Sequence, residues 1–313
     1  MLDQILHVVL STTFFESSLR LATPLILAVM GGILSERSGV LNLGMEGMML
    51  MGAFFGFAGS YFTGSPWLGL LCAVIGAMIL GFIHAFSCIS LGLNQVVVAV
   101  AVNILGLGLT SSLLRTLFGA STSQLKSAGF KPWEIPFLSN IPVIGTIFFK
   151  QTVLVYIGLL LIPLTWWVFY KTTWGLKIRA VGEYPRAADT MGVNVTKVRY
   201  LCVLYSSIMG GLGGASLSIA GLNTFVDNIT AGRGFIAFSA IIFGKFNPLG
   251  AAAGAFIFGI ADSLQLNIQA LGIKIPYQIP LMFPYILTLI VLFAVGAGSS
   301  PKNWGVPYNP DGE

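Results

Sequence analysis

KTTWGLKIRAVGEYPRAADTMGVNVTKVR, residues 171–199, is the longest strongly charged interval in a chain that is otherwise apolar. It holds Lys171, Lys177, Arg179, Arg186, Lys197 and Arg199 against only Glu183 and Asp189. Apolar runs long enough to cross a bilayer flank it on both sides. A basic loop between two spans faces the cytoplasm. The stretch therefore divides the chain into two groups of spans, and it offers a partner protein a place to deliver force.

The composition points the same way. Of 313 residues, 56% are hydrophobic and 9% are charged, against roughly 25% charged in soluble domains. Too little polar surface exists to face water all round, so lipid is the main solvent. The runs are continuous and about 20 residues long, without the alternation of membrane strands. The expectation is an all-α, polytopic integral membrane protein. The net charge of +5 is spread over loops and offers no clustered face for nucleic acid. Cys72, Cys88 and Cys202 sit in or beside apolar segments with no CxxC pair, which supports neither zinc nor disulfides. The first 21 residues lack a basic n-region and a small-residue cleavage site, so a removed signal peptide is not expected.

Working outward from the loop, the spans read as about 13–34, 42–62, 66–90, 95–118 and 152–170 before it. After it come about 200–220, 235–244, 249–267 and 280–298. Residues 1–11 suit a short interfacial helix, and Glu16 and Arg20, four apart, can neutralise each other on one helix face. About nine crossings result, with broken or half-helix segments. Glycine is dense from Asn42 onward, so that span is expected to start irregularly, where protein or water lines it. The 235–244 run is short for a crossing and suits a half-helix. Ser206, Gly210, Gly214 and Ser218 form a small-residue stripe for close helix approach. Residues 119–150 read as an extracytoplasmic loop with a short helix. Nine crossings place the N-terminus outside and the C-terminus in the cytoplasm, with Arg37, the central basic residues, Lys245 and Lys302 inside. No domain boundary is visible, so residues 1–313 form one transmembrane domain.

Catalytic constellations are scarce. No phosphate-binding GxxxxGK[ST], HExxH or GxSxG occurs, and neither His7 nor His84 has a clear ligand set, so no enzyme activity and no metal site are expected. Without a nucleotide site, the chain must import its power stroke. Inside the loop, Pro185 can open a helix, Ala187 and Ala188 favour it, and Gly192 can end it in a left-handed cap. A helix of about two turns beyond the membrane surface follows. Polar residues costly in lipid are Glu46, Asn103, Arg115, Asp262 and Gln265, with Asn42 and Asn94 at span edges. They fit two readings, the wall of a hydrated substrate path or hydrogen bonding between helices.

Three separated runs, in order, carry a resemblance. They are Glu36-Arg37-Ser38-Gly39-Val40-Leu41-Asn42-Leu43-Gly44-Met45-Glu46-Gly47, then Arg179-Ala180-Val181-Gly182-Glu183-Tyr184-Pro185-Arg186-Ala187-Ala188, then Phe243-Gly244-Lys245-Phe246-Asn247-Pro248-Leu249-Gly250. Together they resemble the permease subunits of bacterial ABC importers, in the branch of ribose-type and branched-chain amino-acid permeases, and most of all those for nucleosides or simple sugars. The resemblance implies a plasma-membrane permease pairing with itself or a paralogue. It also implies cytoplasmic ATPase subunits that carry the ATP and Mg, no cofactor on this chain, and a substrate-binding lipoprotein outside. Ala187, Ala188 and Gly192 match the Ala-Ala-x-x-x-Gly core of the coupling motif. The glutamate usual before it is Arg186 here. The implied coupling set is Glu183, Pro185, Arg186, Ala187, Ala188 and Gly192, with purine nucleosides the favoured cargo. Simple sugars and branched-chain amino acids stand behind them. A reading of another class is an ion-coupled secondary transporter using Glu46 or Asp262.

Overall fold

The computed structural model describes residues 11–119, 125–134, 144–270 and 300–309, with isolated positions 282, 286, 290 and 293. Helix α1 (Thr12–Arg37) starts where the Ser11 hydroxyl accepts the Phe14 N–H at 3.2 Å, and its second half is buried almost all round. Its 26 residues reach about 39 Å at 1.5 Å per residue, enough to cross a bilayer. The i,i+4 pair Glu16–Arg20 closes at 2.7 Å, as the spacing predicts. Helix α2 (Met45–Thr63) ends at Gly64, whose φ of +69° makes the left-handed cap. Helix α3 (Pro66–Ala85) runs into a π-helical turn at Phe86–Ser90, and α4 (Gln95–Phe118) follows, capped by Asn94.

Two-residue strands β1 (Trp133–Glu134) and β2 (Lys150–Gln151) pair antiparallel around α5 (Ile144–Phe149). This small ribbon is a departure from the all-α expectation; α5 matches the predicted short helix in the 119–150 loop. The loop hangs on the bundle through Phe130 N–H to Ile219 C=O and Ser127 N–H to Asn223 C=O, both 2.9 Å. Then come α6 (Val153–Lys171), α7 (Thr173–Glu183), α8 (Pro185–Thr190) and α9 (Val195–Ala215), the last continued by a π-helical Ser216–Leu222. Two further helices are α10 (Arg233–Phe243) and α11 (Pro248–Ala270).

Among the described residues, six helices are long and apolar enough to cross a membrane: α1, α3, α4, α6, α9 and α11. The expected count of about nine is not reached among the described residues. Helix α2 is rich in glycine and opens with Glu46, which keeps it out of the six. Helix α10 has 11 residues, about 16 Å, half a bilayer's hydrocarbon thickness. The expected 280–298 span and the 1–11 interfacial helix lie outside the described residues, apart from isolated positions.

Helix α9 is the hub. In lipid no hydrophobic drive joins helices, so close backbone approach has to supply the packing. A Cβ on Gly214 would sit 1.8 Å from Met49 C=O, and one on Gly213 2.8 Å from Pro24 C=O. One on Gly211 would sit 2.7 Å from the Ala77 side chain, and Gly211 also meets Gly52. The predicted stripe through Ser206 and Gly214 faces the α2 side. Gly211 and Gly213, outside that stripe, extend the close contact to α3 and α1.

Candidate functional site

Between α1 and α2 the chain runs through residues 38–44 without helix, inside the bundle. Every backbone polar group there needs a partner, because the hydrocarbon offers none. Leu41 N–H donates to Gln95 Oε1 at 2.7 Å and Asn42 N–H to Glu36 Oε1 at 2.8 Å. Asn103 donates to Leu43 C=O at 2.9 Å and accepts from Gly47 N–H at 2.8 Å. Arg199 Nε donates to Ser38 C=O at 3.2 Å, and His84 lies 3.3 Å from Leu41 C=O. Asn42 is fully buried and donates through Nδ2 to Ser206 at 3.0 Å, while its Oδ1 accepts no bond among the described residues.

Glu46 sits at the first turn of α2. It accepts from Thr230 Oγ1 at 2.5 Å, Gly232 N–H at 2.9 Å and Gly234 N–H at 2.6 Å. Those N–H groups belong to the start of α10, where a carboxylate suits the helix dipole and its unpaired donors. The backbone arrives there through left-handed residues Asn228, Ala231 and Gly232. A Cβ on Gly234 would stand 2.4 Å from Glu46 N, so glycine is required for this contact. Next to it Arg233 reaches Asp262 at 3.4 Å, both side chains mostly buried.

The expected polar set thus divides. Asn42, Glu46, Asn103 and, through Arg233, Asp262 gather around the broken segment and the head of α10. Gln265, three residues along α11 from Asp262, is partly buried. Asn94 does not join them. It is exposed, and its Oδ1 caps α4 at Val96 N–H (3.0 Å) and Val97 N–H (3.3 Å), beside a cavity of about 520 Å³ between α3 and α4. Arg115 is also outward, 4.0 Å from Asp227. Among the described residues no group of three metal-ligating side chains converges.

The charged loop folds as two helices. Pro185 opens α8 at its first turn and Gly192 follows it with φ +80°, the left-handed position expected of a stop residue. Ala187 is exposed, but Ala188 is buried in the core against the α9 side. Of the implied coupling residues, Ala187 and Ala188 thus point apart, because adjacent residues of a short helix diverge and one faces the bundle. Glu183 lies 3.9 Å from Arg37, which also donates through Nε to Phe246 C=O at 2.9 Å. Arg199, read as a topology anchor, is instead one of the largest fully buried side chains.

The tail residues 301–308 complete this region, unmarked by any spacing. Trp304 Nε1 donates to Glu36 Oε2 at 2.5 Å. Tyr308 donates to Asp189 at 2.9 Å and Lys302 to the Tyr184 hydroxyl. Desolvation and the Asp189 carboxylate raise the Tyr308 phenol, and the bond to Tyr184 raises the Lys302 ammonium. A cavity of about 530 Å³ opens between α8 and this tail, lined by Tyr184, Pro185, Arg186 and Ala187 on one side and Val306, Pro307 and Tyr308 on the other. Aromatic and proline residues in an otherwise polar tail were the one available signal.

The family described as branched-chain amino acid transport system / permease component matches residues 14–295. The guanosine ABC transporter permease protein NupQ of Bacillus subtilis is 41% identical, covering 97% of each chain. A Haloferax volcanii protein provisionally named the glucose ABC transporter permease TsgC13 is 40% identical, covering 88% of this chain and 89% of its own. The nucleoside ABC transporter permease protein NupC of Lactococcus lactis is 39% identical over 92% of this chain and 93% of its own. A solved ABC transporter provisionally assigned to the metal-chelate type, in an inward-facing conformation, shares the fold at TM-score 0.50 and 15% identity, over 89% of this chain and 85% of that one. The chain belongs to the family of branched-chain amino acid transport system permease components and is a multi-pass membrane permease, not an enzyme.

Proposed function

We propose that the chain is the permease subunit of an ATP-driven importer of nucleosides, purine nucleosides foremost. It works in the plasma membrane as one domain, with its N-terminus outside and C-terminus in the cytoplasm. Its partners are cytoplasmic ATPase subunits carrying ATP and Mg, a second permease (itself or a paralogue) and an extracytoplasmic substrate-binding lipoprotein. The observation that carries the reading is the α7–α8 unit. It is a pair of short helices outside the six long apolar helices, and it contacts the C-terminal end of α1 through Glu183 and Arg37.

Closure of the ATPases would push on Tyr184–Ala187 and Gly192, while Glu183 and Ala188 pass the motion inward. The substrate path would run past Asn42, Glu46, Asn103, Asp262 and Gln265. Asn42 Oδ1, buried and without a donor among the described residues, has the spare capacity to accept a substrate hydroxyl or amino group. The likeness to NupQ and NupC supports nucleosides. The likeness to TsgC13 supports a simple sugar as the second reading.

The test is uptake into proteoliposomes holding the full complex. Guanosine uptake should require ATP and be competed by other purine nucleosides, not by glucose or leucine. Uptake that persists without the ATPase subunits and collapses with the proton gradient overturns the reading in favour of ion coupling.

A further inference from the structure

The tail segment Pro301–Tyr308 touches two bodies at once. Toward the α7–α8 unit, Asn303 N–H donates to Gly182 C=O at 3.1 Å and Asn303 Nδ2 to Glu183 C=O at 3.0 Å. Tyr308 reaches Asp189 at the far end of α8. Toward the bundle, the next residue, Trp304, bonds Glu36 near the end of α1. Its ring stacks on Phe238 of α10 (6.1 Å, 15°) and meets Phe246 edge-on (5.4 Å, 80°). Gly305 N–H donates to Gly39 C=O at 3.0 Å, and Arg199 donates to Val306 C=O at 3.1 Å.

We propose that Pro301–Tyr308 is a splint that carries displacement of the α7–α8 unit to the half-helix α10, with Trp304 as its positioning residue. The proposal rests on the reading of α7–α8 as the coupling unit. Adjacent residues hold the two bodies, so a push on Glu183 arrives at Glu36 and Phe238 with one peptide of slack. Helix α10 is the element best placed to use it. Its inner half meets Trp304, and its outer end is gripped by Glu46. Through this line a movement at the cytoplasmic surface reaches the polar break without first deforming the buried α1–α9 packing. A first line runs from α7 to α1 at Gly182 against Arg37 C=O and on to α10 where Gly32 of α1 meets Ile241; the splint adds a second line, which reaches Phe238 of α10 directly through the Trp304 ring.

The experiment uses the full complex in proteoliposomes, reading ATP hydrolysis and ATP-dependent guanosine uptake in parallel. Trp304→Phe keeps a ring on Phe238 and Phe246 but removes the N–H to Glu36; losing that buried hydrogen bond is expected to lower uptake about fivefold. Hydrolysis should stay close to the wild-type rate, so transport per ATP falls. Unchanged uptake, or a parallel fall of both activities, overturns the proposal. A second pair, Asp189→Cys with Tyr308→Cys, tests the rigid-body claim, joined by a short bismaleimide because the phenol-to-carboxylate contact leaves the backbones too far apart for a disulfide. Cross-linking, confirmed by mass spectrometry, should leave uptake intact, because splint and α8 move together; loss of uptake on cross-linking overturns it. Wild-type vesicles that show no ATP-dependent uptake would refute the importer reading instead, so the two failures stay distinct.

Discussion

Glu46 shows what a single intramembrane carboxylate does here. Its two oxygens take two N–H groups and a hydroxyl from the head of α10. Removing the charge while keeping the shape, Glu46→Gln, weakens all three bonds, and a hydrogen bond to a charged group contributes about 1.5–3 kcal/mol. The variant should unfold in detergent at a clearly lower temperature than wild type, with Glu46→Ala lower still. A melting curve superimposed on wild type would remove Glu46 from this role. Sequence alone marked Glu46, Asn42 and Asn103 as costly in lipid, and that much was legible. Whether each lines a path or staples a backbone was not, since the partners of Glu46 stand 184 to 188 positions away. Asn94 looked the same by type and position, yet caps its own helix.

At the scale of elements, α8 and α9 carry the sharpest expectations. Proline and glycine marked the start and stop of α8, because each acts on its own backbone. Ala187 and Ala188 were indistinguishable until the helix was docked. Ala187→Arg should leave expression and folding intact while lowering ATP-dependent uptake. Ala188→Arg should reduce the yield of folded protein, since it drives a charge into the core. Equal behaviour of the two in a size-exclusion profile would count against the observed orientation of α8. In α9, Gly214→Ala places a carbon 1.8 Å from Met49 C=O and should cost about 1–3 kcal/mol or more. Gly108→Ala in α4, where nothing lies within 4 Å, should gain up to about 1 kcal/mol from helix propensity. Thermal shifts of opposite sign in the two variants are the check. The small-residue period was readable, but period alone does not say that α9 presents glycine to three neighbours rather than one.

For the whole molecule, apolar length and the positions of polar interruptions were enough to place nearly every described helix within a few residues. They were not enough to count crossings. Apolar length cannot separate a full span from α10. Long-range hydrogen bonds left no periodic trace, which is why Arg199 and Trp304 went unmarked. The α7–α8 unit, the 301–308 segment, the C-terminal end of α1 and α10 share one network of contacts. Cargo choice and drive are tested at this scale by ATP-dependent guanosine uptake.

The unwound passage at 38–44 also constrains biogenesis. Its Leu41 N–H and its Leu43 and Ser38 C=O groups are satisfied by Gln95, Asn103 and Arg199, and its neighbour Glu36 meets Trp304 268 positions later. A ribosome-bound chain that has delivered only α1 and α2 has none of these partners. The first hairpin must therefore wait, hydrated or chaperoned within the insertion machinery, until later helices arrive to close it.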